Sequence, residues 1–139
     1  MHFERDQVIR FSHCDPAGMV FFPQYFVMFN ALVEDWFNEA LGVGYANVVS
    51  RRRVGLPTVA LKCEFQIPSR MGDRVQLRLR VEHLGRSSIG LALECRHALE
   101  VRVRMQQVLV TTALGEGHAI ALPDDIRAAI ERFDTEGVC

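Results

Sequence analysis

The spacing of hydrophobic positions changes several times along this chain, and each change marks an element. Phe3, Ile9 and Phe11 fall at even spacing with Val8 out of phase, which predicts a strand from Phe3 to Phe11. Ser12 to Pro23 holds Asp15-Pro16, Gly18 and Pro23, residues that punctuate structure, so a loop is expected there. From Phe22 the period lengthens: Phe22, Phe26, Phe29, Val33, Trp36/Phe37 and Ala40 recur at three and four residues. That is a broad helical stripe, rich enough in Phe, Met and Trp to predict a largely enclosed helix. Pro23 suits its first turn, where a missing N–H costs nothing, and Gly42 and Gly44 stop it.

Period two then takes over. Val59, Leu61, Cys63, Phe65 and Ile67 alternate with polar or small residues, and Pro68 to Asp73 makes a turn. Val75, Leu77, Leu79 and Val81 alternate with Arg74, Gln76, Arg78, Arg80 and Glu82 up to a turn at Gly85-Arg86. Ile89, Leu91, Leu93 and Cys95 alternate next, followed by Val101, Val103 and Met105. The phase slips at Gln106-Gln107 before Val108-Leu109-Val110, which predicts a β-bulge at that point. Short turns imply antiparallel pairing, and the alternation implies one buried and one wetter face. Pro123-Asp124-Asp125 opens a final helix with acids in its first turn and Ile126, Ile130 and Phe133 on its apolar face. The order is strand, long helix, four strands, terminal helix. This order predicts an α+β domain, with a five-stranded antiparallel sheet curved around one long central helix as the simplest packing.

Composition narrows the class. The 139 residues fit a single domain over 1–139, and 49% hydrophobic with 24% charged residues supply a core and a polar surface, excluding disordered and collagen-like chains. A net charge of -1 gives no general attraction to nucleic acid or to a membrane surface. Lys62 is the one lysine, so arginine carries nearly all the positive charge. Cys14, Cys63, Cys95 and Cys139 are far apart, without the spacing of a metal site or a disulfide scaffold, and free thiols in a reducing cytoplasm are expected. Neither a signal-peptide core nor an apolar run near the ~18 residues of a membrane span is seen, so a cytoplasmic location is expected.

The candidate chemistry lies in Ser12-His13-Cys14-Asp15-Pro16-Ala17-Gly18-Met19-Val20-Phe21-Phe22-Pro23-Gln24-Tyr25. A carboxylate on a loop leads into the N-terminus of a buried helix, where free backbone N–H groups and a partial positive charge can polarise a carbonyl or hold an oxyanion. Asp15 there is either a nucleophile or general base, or only a turn-forming residue before Pro16.

The run from Asp15 to Tyr25 resembles the 4-hydroxybenzoyl-CoA thioesterase family of hotdog-fold proteins. The likeness extends to element order over most of the chain and to Gly85-Arg86-Ser87-Ser88 in the second turn. The resemblance implies a hotdog fold and hydrolysis of an acyl- or aroyl-CoA thioester, with CoA thioester as substrate and neither cofactor nor metal. It implies Asp15 as the catalytic carboxylate and the backbone N–H of Phe22 as the group that polarises the thioester carbonyl. It further implies homodimers joined edge to edge through their sheets, often paired into homotetramers, with active sites at the dimer interface. Position 22 departs from the pattern, since relatives carry Tyr or His there. Phe offers no titratable group, so only the backbone role carries over and Asp15 is left as the sole ionisable side chain in the chemistry.

Other residues carry two readings each. His13, just before the motif, and Gly18 and Tyr25, within it, are candidates for substrate binding: His13 orients Asp15, meets substrate or is structural, and Tyr25 lines the pocket or packs. Cys14 is expected to point away from the site. Glu34 and Asp35 are expected at an interface or in solvent. Thr58 is placed at the acyl pocket from its position at a strand start. Arg86, Ser87 and Ser88 either bind the pantetheine or phosphate portion of CoA or decorate an ordinary hairpin. Arg51-Arg52-Arg53 meets phosphates or forms a solvated cluster. Two further activities compete with the hydrolase: an acyl-thioester hydratase or dehydratase using Glu34, and a non-catalytic acyl-CoA-binding module.

Overall fold

The computed structural model describes residues 1–135, so Cys139 lies outside the described residues. Strand β1 (Phe3–Val8) is followed by helix α1 (Pro23–Asp35), the two-residue β2 (Val54–Gly55), then β3 (Thr58–Phe65) and β4 (Arg74–Leu84). After them come β5 (Ser88–His97), β6 (Glu100–Val110), the short β7 (Thr112–Ala113) and β8 (His118–Ala119), and α2 (Asp124–Thr135). The main sheet has five antiparallel strands in the order β1-β4-β5-β6-β3, and β2, β7 and β8 form a small second sheet. Strands of two residues carry no readable period, which is why the second sheet was not expected.

Helix α1 begins where Pro23 predicts, and its N-cap residue Phe22 already has helical angles. The chain continues past Asp35 through a wider turn, Trp36–Ala40, closed by the Leu41 N–H to the Trp36 carbonyl at 3.0 Å. Gly42, at φ +67°, then takes the left-handed conformation that ends it. Phe29, Val33, Trp36 and Phe37 are buried as the stripe predicts, and α1 contacts β4. The helix is less enclosed than expected. Phe22 and Ala40 at the ends of the stripe are exposed, and so are Val27, Asn30, Ala31 and Glu34. Helix α2 buries Ile126, Ala129, Ile130 and Phe133, with the Phe133 ring 5.6 Å from Trp36.

Three other expectations need correction. β1 stops at Val8: a 3-10 turn over Phe11–His13 follows, and Phe11 stands 79% exposed. No bulge occurs at Gln106-Gln107. Met105, Gln106, Gln107 and Val108 pair in unbroken register with Leu93, Ala92, Leu91 and Gly90. The apparent slip arises because a polar residue, Gln107, occupies an inward position at 4% exposure, its Nε2 donating to Thr58 Oγ1 at 2.9 Å. The register breaks lie instead at Glu82, at Arg102 and at Val59, each an extra residue opposite a shorter partner segment. Finally, the apolar row of β3 is not buried. Leu61, Cys63 and Phe65 pair with the inward Gln107, Met105 and Val103, yet Leu61 is 45% and Phe65 48% exposed. β3 is one of the sheet's two edge strands, β1 being the other, and it lies three strands from β4, the strand that α1 contacts, so the sheet's wrap around the helix is open on this side.

Candidate active site

The motif folds into a compact loop at the mouth of α1. The 3-10 turn is closed by the His13 N–H to the Arg10 carbonyl, and the Arg10 N–H donates to His13 Nδ1 at 2.9 Å. Cys14 and Val20 then form a bridge that sets the stem of the loop. Inside it the Asp15 N–H donates to the Met19 carbonyl and the Gly18 N–H to the Asp15 carbonyl, both at 2.9 Å. Gly18 sits at φ +77°, a conformation glycine adopts without steric cost. Asp15 Oδ1 accepts the Ala17 N–H at 2.9 Å and the Met19 N–H at 3.4 Å. Oδ2 accepts no hydrogen bond from the described residues. The carboxylate, half-buried, is thus fixed through one oxygen and open at the other.

The helix mouth is tied to the same stem, since the Phe21 N–H donates to the His13 carbonyl at 2.9 Å. The next donors are used inside the first turn: Gln24 N–H to the Phe21 carbonyl and Tyr25 N–H to the Phe22 carbonyl. Pro23 has none to give. The Phe22 N–H has no acceptor among the described residues, as expected of the first orphan donors of a helix. Its ring packs edge-on against Phe65, centroids 5.8 Å apart, and against Phe21 and Phe26. A cleft of about 190 Å³ opens here, walled by Val20, Phe22, Tyr25, Phe65, Ile67 and Val103. The larger hollow, about 440 Å³, lies on the outer face of the sheet between Lys62, Glu64, Arg78, Arg80 and Arg104. Those side chains form a charge ladder on the side away from the helix mouth, so the smaller apolar cleft is the better candidate for an acyl group.

Tyr25 is buried in the cleft wall, and its hydroxyl lies beside Ser69 without a well-formed hydrogen bond. Burial pushes it above its ordinary value, with a smaller opposing effect from Ser69. His13 makes no hydrogen bond to Asp15. Burial, then Arg10, lowers its pKa, and the bond it accepts at Nδ1 favours the neutral ring. Cys14 is raised by burial and then by Asp15, and its thiol donates to the Arg10 carbonyl, which disfavours a thiolate.

The remaining candidates lie elsewhere. Thr58 opens β3 and pairs with Leu109, next to the residue that pairs with Ser88. The Arg86–Ser88 turn is tied down through its backbone: Ser88 and Ser87 carbonyls accept from Gly85 and Thr111, and the Arg86 carbonyl from Leu122, each at 2.8 Å. These residues sit at the end of β4 opposite the Asp15 loop, separated by the strand's 11 residues, roughly 35 Å. Within one chain, Thr58, Arg86, Ser87 and Ser88 are therefore not brought to Asp15, Gly18 and Tyr25. Arg52 is committed to a forked pair with Asp125 at 2.7 and 2.8 Å, which leaves Arg51 and Arg53 exposed. Glu34 is exposed and Asp35 half-buried on α1. Among the described residues no three His, Cys, Asp or Glu side chains converge as a metal site would need, and no helix is long and apolar enough to cross a membrane.

Sequence reading missed Asp73, Ser69 and Arg102. The N–H of Arg70, and then the Arg102 guanidinium, hold the Asp73 carboxyl below its ordinary 3.8. A depressed carboxylate contributes stability that is complete above its unfolded value and is lost as pH falls through the lower folded one. Asp73→Asn is accordingly expected to flatten the fall of Tm with acid below about pH 4. Superimposable acid limbs for variant and parent in thermal melts would refute this.

A family model described as the thioesterase-like superfamily matches residues 9–130. A 1,4-dihydroxy-2-naphthoyl-CoA hydrolase of Synechococcus elongatus is 31% identical over 96 residues, 68% of this chain and 70% of the relative. A 4-hydroxybenzoyl-CoA thioesterase of a Pseudomonas species is 28% identical over 87% of this chain and 77% of its own. The crystal structure of a 1,4-dihydroxy-2-naphthoyl-CoA thioesterase from Synechocystis superposes with a TM-score of 0.87 at 25% identity, covering 96% of this chain and 98% of that one.

Proposed function

This chain belongs to the thioesterase-like superfamily, and we propose that its reaction is the hydrolysis of an aroyl- or acyl-CoA thioester to the free acid and CoA, with no cofactor. The observation that carries the reading is the pairing of a half-free carboxylate with an unsatisfied helix N–H on one hydrogen-bonded stem. The thioester carbonyl accepts from the Phe22 N–H, which stabilises the oxyanion as the acyl carbon becomes tetrahedral. Asp15 Oδ2 either takes a proton from the attacking water or attacks the carbon itself, giving a mixed anhydride that water then opens at the Asp15 carboxyl carbon, so that the bridging oxygen leaves with the acyl group. In both routes the C–S bond breaks and the sulfur leaves as CoA thiolate, which takes up a proton. Single turnover in ¹⁸O-water separates them, since only the anhydride route delivers the first product oxygen from Asp15.

An aromatic acyl group suits the cleft, because Phe22, Tyr25 and Phe65 offer ring faces and edges. The named relatives act on naphthoyl and benzoyl thioesters. The second half of the site comes from a partner chain. Antiparallel two-fold pairing of β3 with its copy joins two five-stranded sheets and sets the Thr58 end of one strand against the Phe65 end of the other. That pairing carries Thr58, Arg86, Ser87 and Ser88 of one chain toward the Asp15 loop of its partner. Arg86, exposed on a turn whose backbone is fixed, is then available to CoA phosphate.

The test is thiol release from benzoyl-, 4-hydroxybenzoyl-, 1,4-dihydroxy-2-naphthoyl-, acetyl- and hexanoyl-CoA. Aroyl thioesters are expected to react with the highest kcat/KM. Tight binding with no thiol release would replace the hydrolase with a binding module, and thiol-free consumption of an enoyl-CoA would replace it with a hydratase.

A further inference from the structure

On the outer face of β6, Arg104 and Gln106 stand opposite Glu64 and Lys62 of β3. Continued alternation would put Arg102 in the same outward row. The register break prevents this: Cys95 pairs with Val103 and Arg96 with Val101, so Arg102 is the extra residue. A bulge re-aims the side chain it carries, and Arg102 is only 9% exposed. Its carbonyl accepts two N–H groups, from Gln66 at 2.9 Å and Ile67 at 3.2 Å, which pins the bulge to the end of β3. Its Nη1 donates to Asp73 Oδ2 at 2.6 Å and to Ser69 Oγ at 3.2 Å, and its Nε to Glu100 Oε1 at 3.0 Å.

Ser69 and Asp73 bound the turn on which the Asp15 loop rests. Asp73 Oδ2 also accepts the Arg70 N–H at 2.9 Å, which fixes the turn's shape. On its other side the Val20 N–H donates to the Ser69 carbonyl and the Met71 N–H to the Gly18 carbonyl, both at 3.0 Å, and Met19 bridges to Arg70. Gly18 and Met19 are the residues around which Asp15 closes its own hydrogen bonds. A continuous path therefore runs from the Arg102 guanidinium through Ser69 and Asp73 to Gly18, Met19 and Asp15.

We propose that Arg102 is a positioning residue for the Asp15 carboxylate, acting through the Ser69–Asp73 turn; this rests on Asp15 being the catalytic group. A buried arginine is a poor device for stability alone, since desolvation offsets much of its pairing energy and an apolar residue of similar size often serves as well. What an apolar residue cannot do is hold Ser69 and Asp73 in one geometry, and catalytic groups lose rate steeply when displaced by about 1 Å.

The experiment places Arg102→Met and Arg102→Lys in the parent and in Asp15→Asn, using the CoA thioester hydrolysed fastest by the parent. In the parent, Arg102→Met is expected to lower kcat by about ten- to a hundredfold with KM within about twofold, and Arg102→Lys to recover part of the loss. In the Asp15→Asn background the same changes are expected to alter the residual rate by less than about twofold, because the group being positioned is gone. Parent-like kcat in Arg102→Met, with Asp15→Asn inactive, overturns this proposal and leaves the Asp15 assignment standing. Equal losses in both backgrounds overturn it too, by showing a general structural effect. Near-parent turnover in Asp15→Asn would sink the underlying assignment instead. Should Arg102→Met fail to fold, Ser69→Ala removes one link of the path and is held to the same non-additivity.

Discussion

Asp15→Asn is expected to lower kcat for the best CoA thioester by about a hundredfold or more, the scale on which a positioned acid–base group contributes. The substitution isolates the chemistry well. Asparagine keeps an oxygen where Asp15 Oδ1 accepts the Ala17 and Met19 N–H groups, so the loop retains its internal bonds. It replaces Oδ2, the oxygen that takes no bond from the described residues, with an amide that neither attacks carbon nor accepts a proton near neutral pH. The loss should therefore appear in kcat with little change in KM or in Tm. Hydrolysis within about fivefold of the parent would remove Asp15 from the mechanism, and a Tm lowered in step with activity would assign it a loop-forming role instead.

The second large effect concerns the β3 edge of the sheet. Val59 and Leu61 are 60% and 45% exposed on β3, and an edge strand with apolar side chains is a site for pairing with another strand. Val59→Asp combined with Leu61→Asp puts two carboxylates on this edge and two more opposite them in a symmetric pair. Desolvation and like-charge repulsion then oppose association, each by several kcal/mol. The double variant is expected to elute at the mass of one chain, whereas the parent elutes as a dimer or larger, and to lose most of its turnover. Neither residue lines the cleft at the helix mouth, so activity is lost through the missing partner rather than through direct contact. A monomeric parent, or a monomeric variant with full activity, would contradict a site shared between chains.

Local pattern was enough for most of the architecture. The helix from Pro23, the alternation of β4 and β5 and the acid-led α2 follow from period and punctuation, because burial on one face selects residue type at a fixed spacing. The motif at Asp15–Tyr25 was legible for the same kind of reason: its Pro, Gly and Asp serve backbone geometry that is local. Pattern failed where burial is decided by neighbours distant in sequence. The row of β3 reads as a core face yet stands open, since being an edge strand is a property of the sheet order and not of the strand. Gln107 imitates a bulge because its partner, Thr58, lies 49 residues away.

Residue type and spacing thus determined the α+β class, the elements, and the carboxylate at a helix mouth, all set by short-range sterics and the burial of apolar faces. The tertiary structure alone decided that Arg102 turns inward to brace the loop, and that Thr58 and Arg86 lie a strand's length from Asp15. It also decided that β3, with its apolar row, is one of the two edge strands. Each of these depends on strand register and on which surfaces meet, quantities that arise only when segments far apart in the chain are packed together.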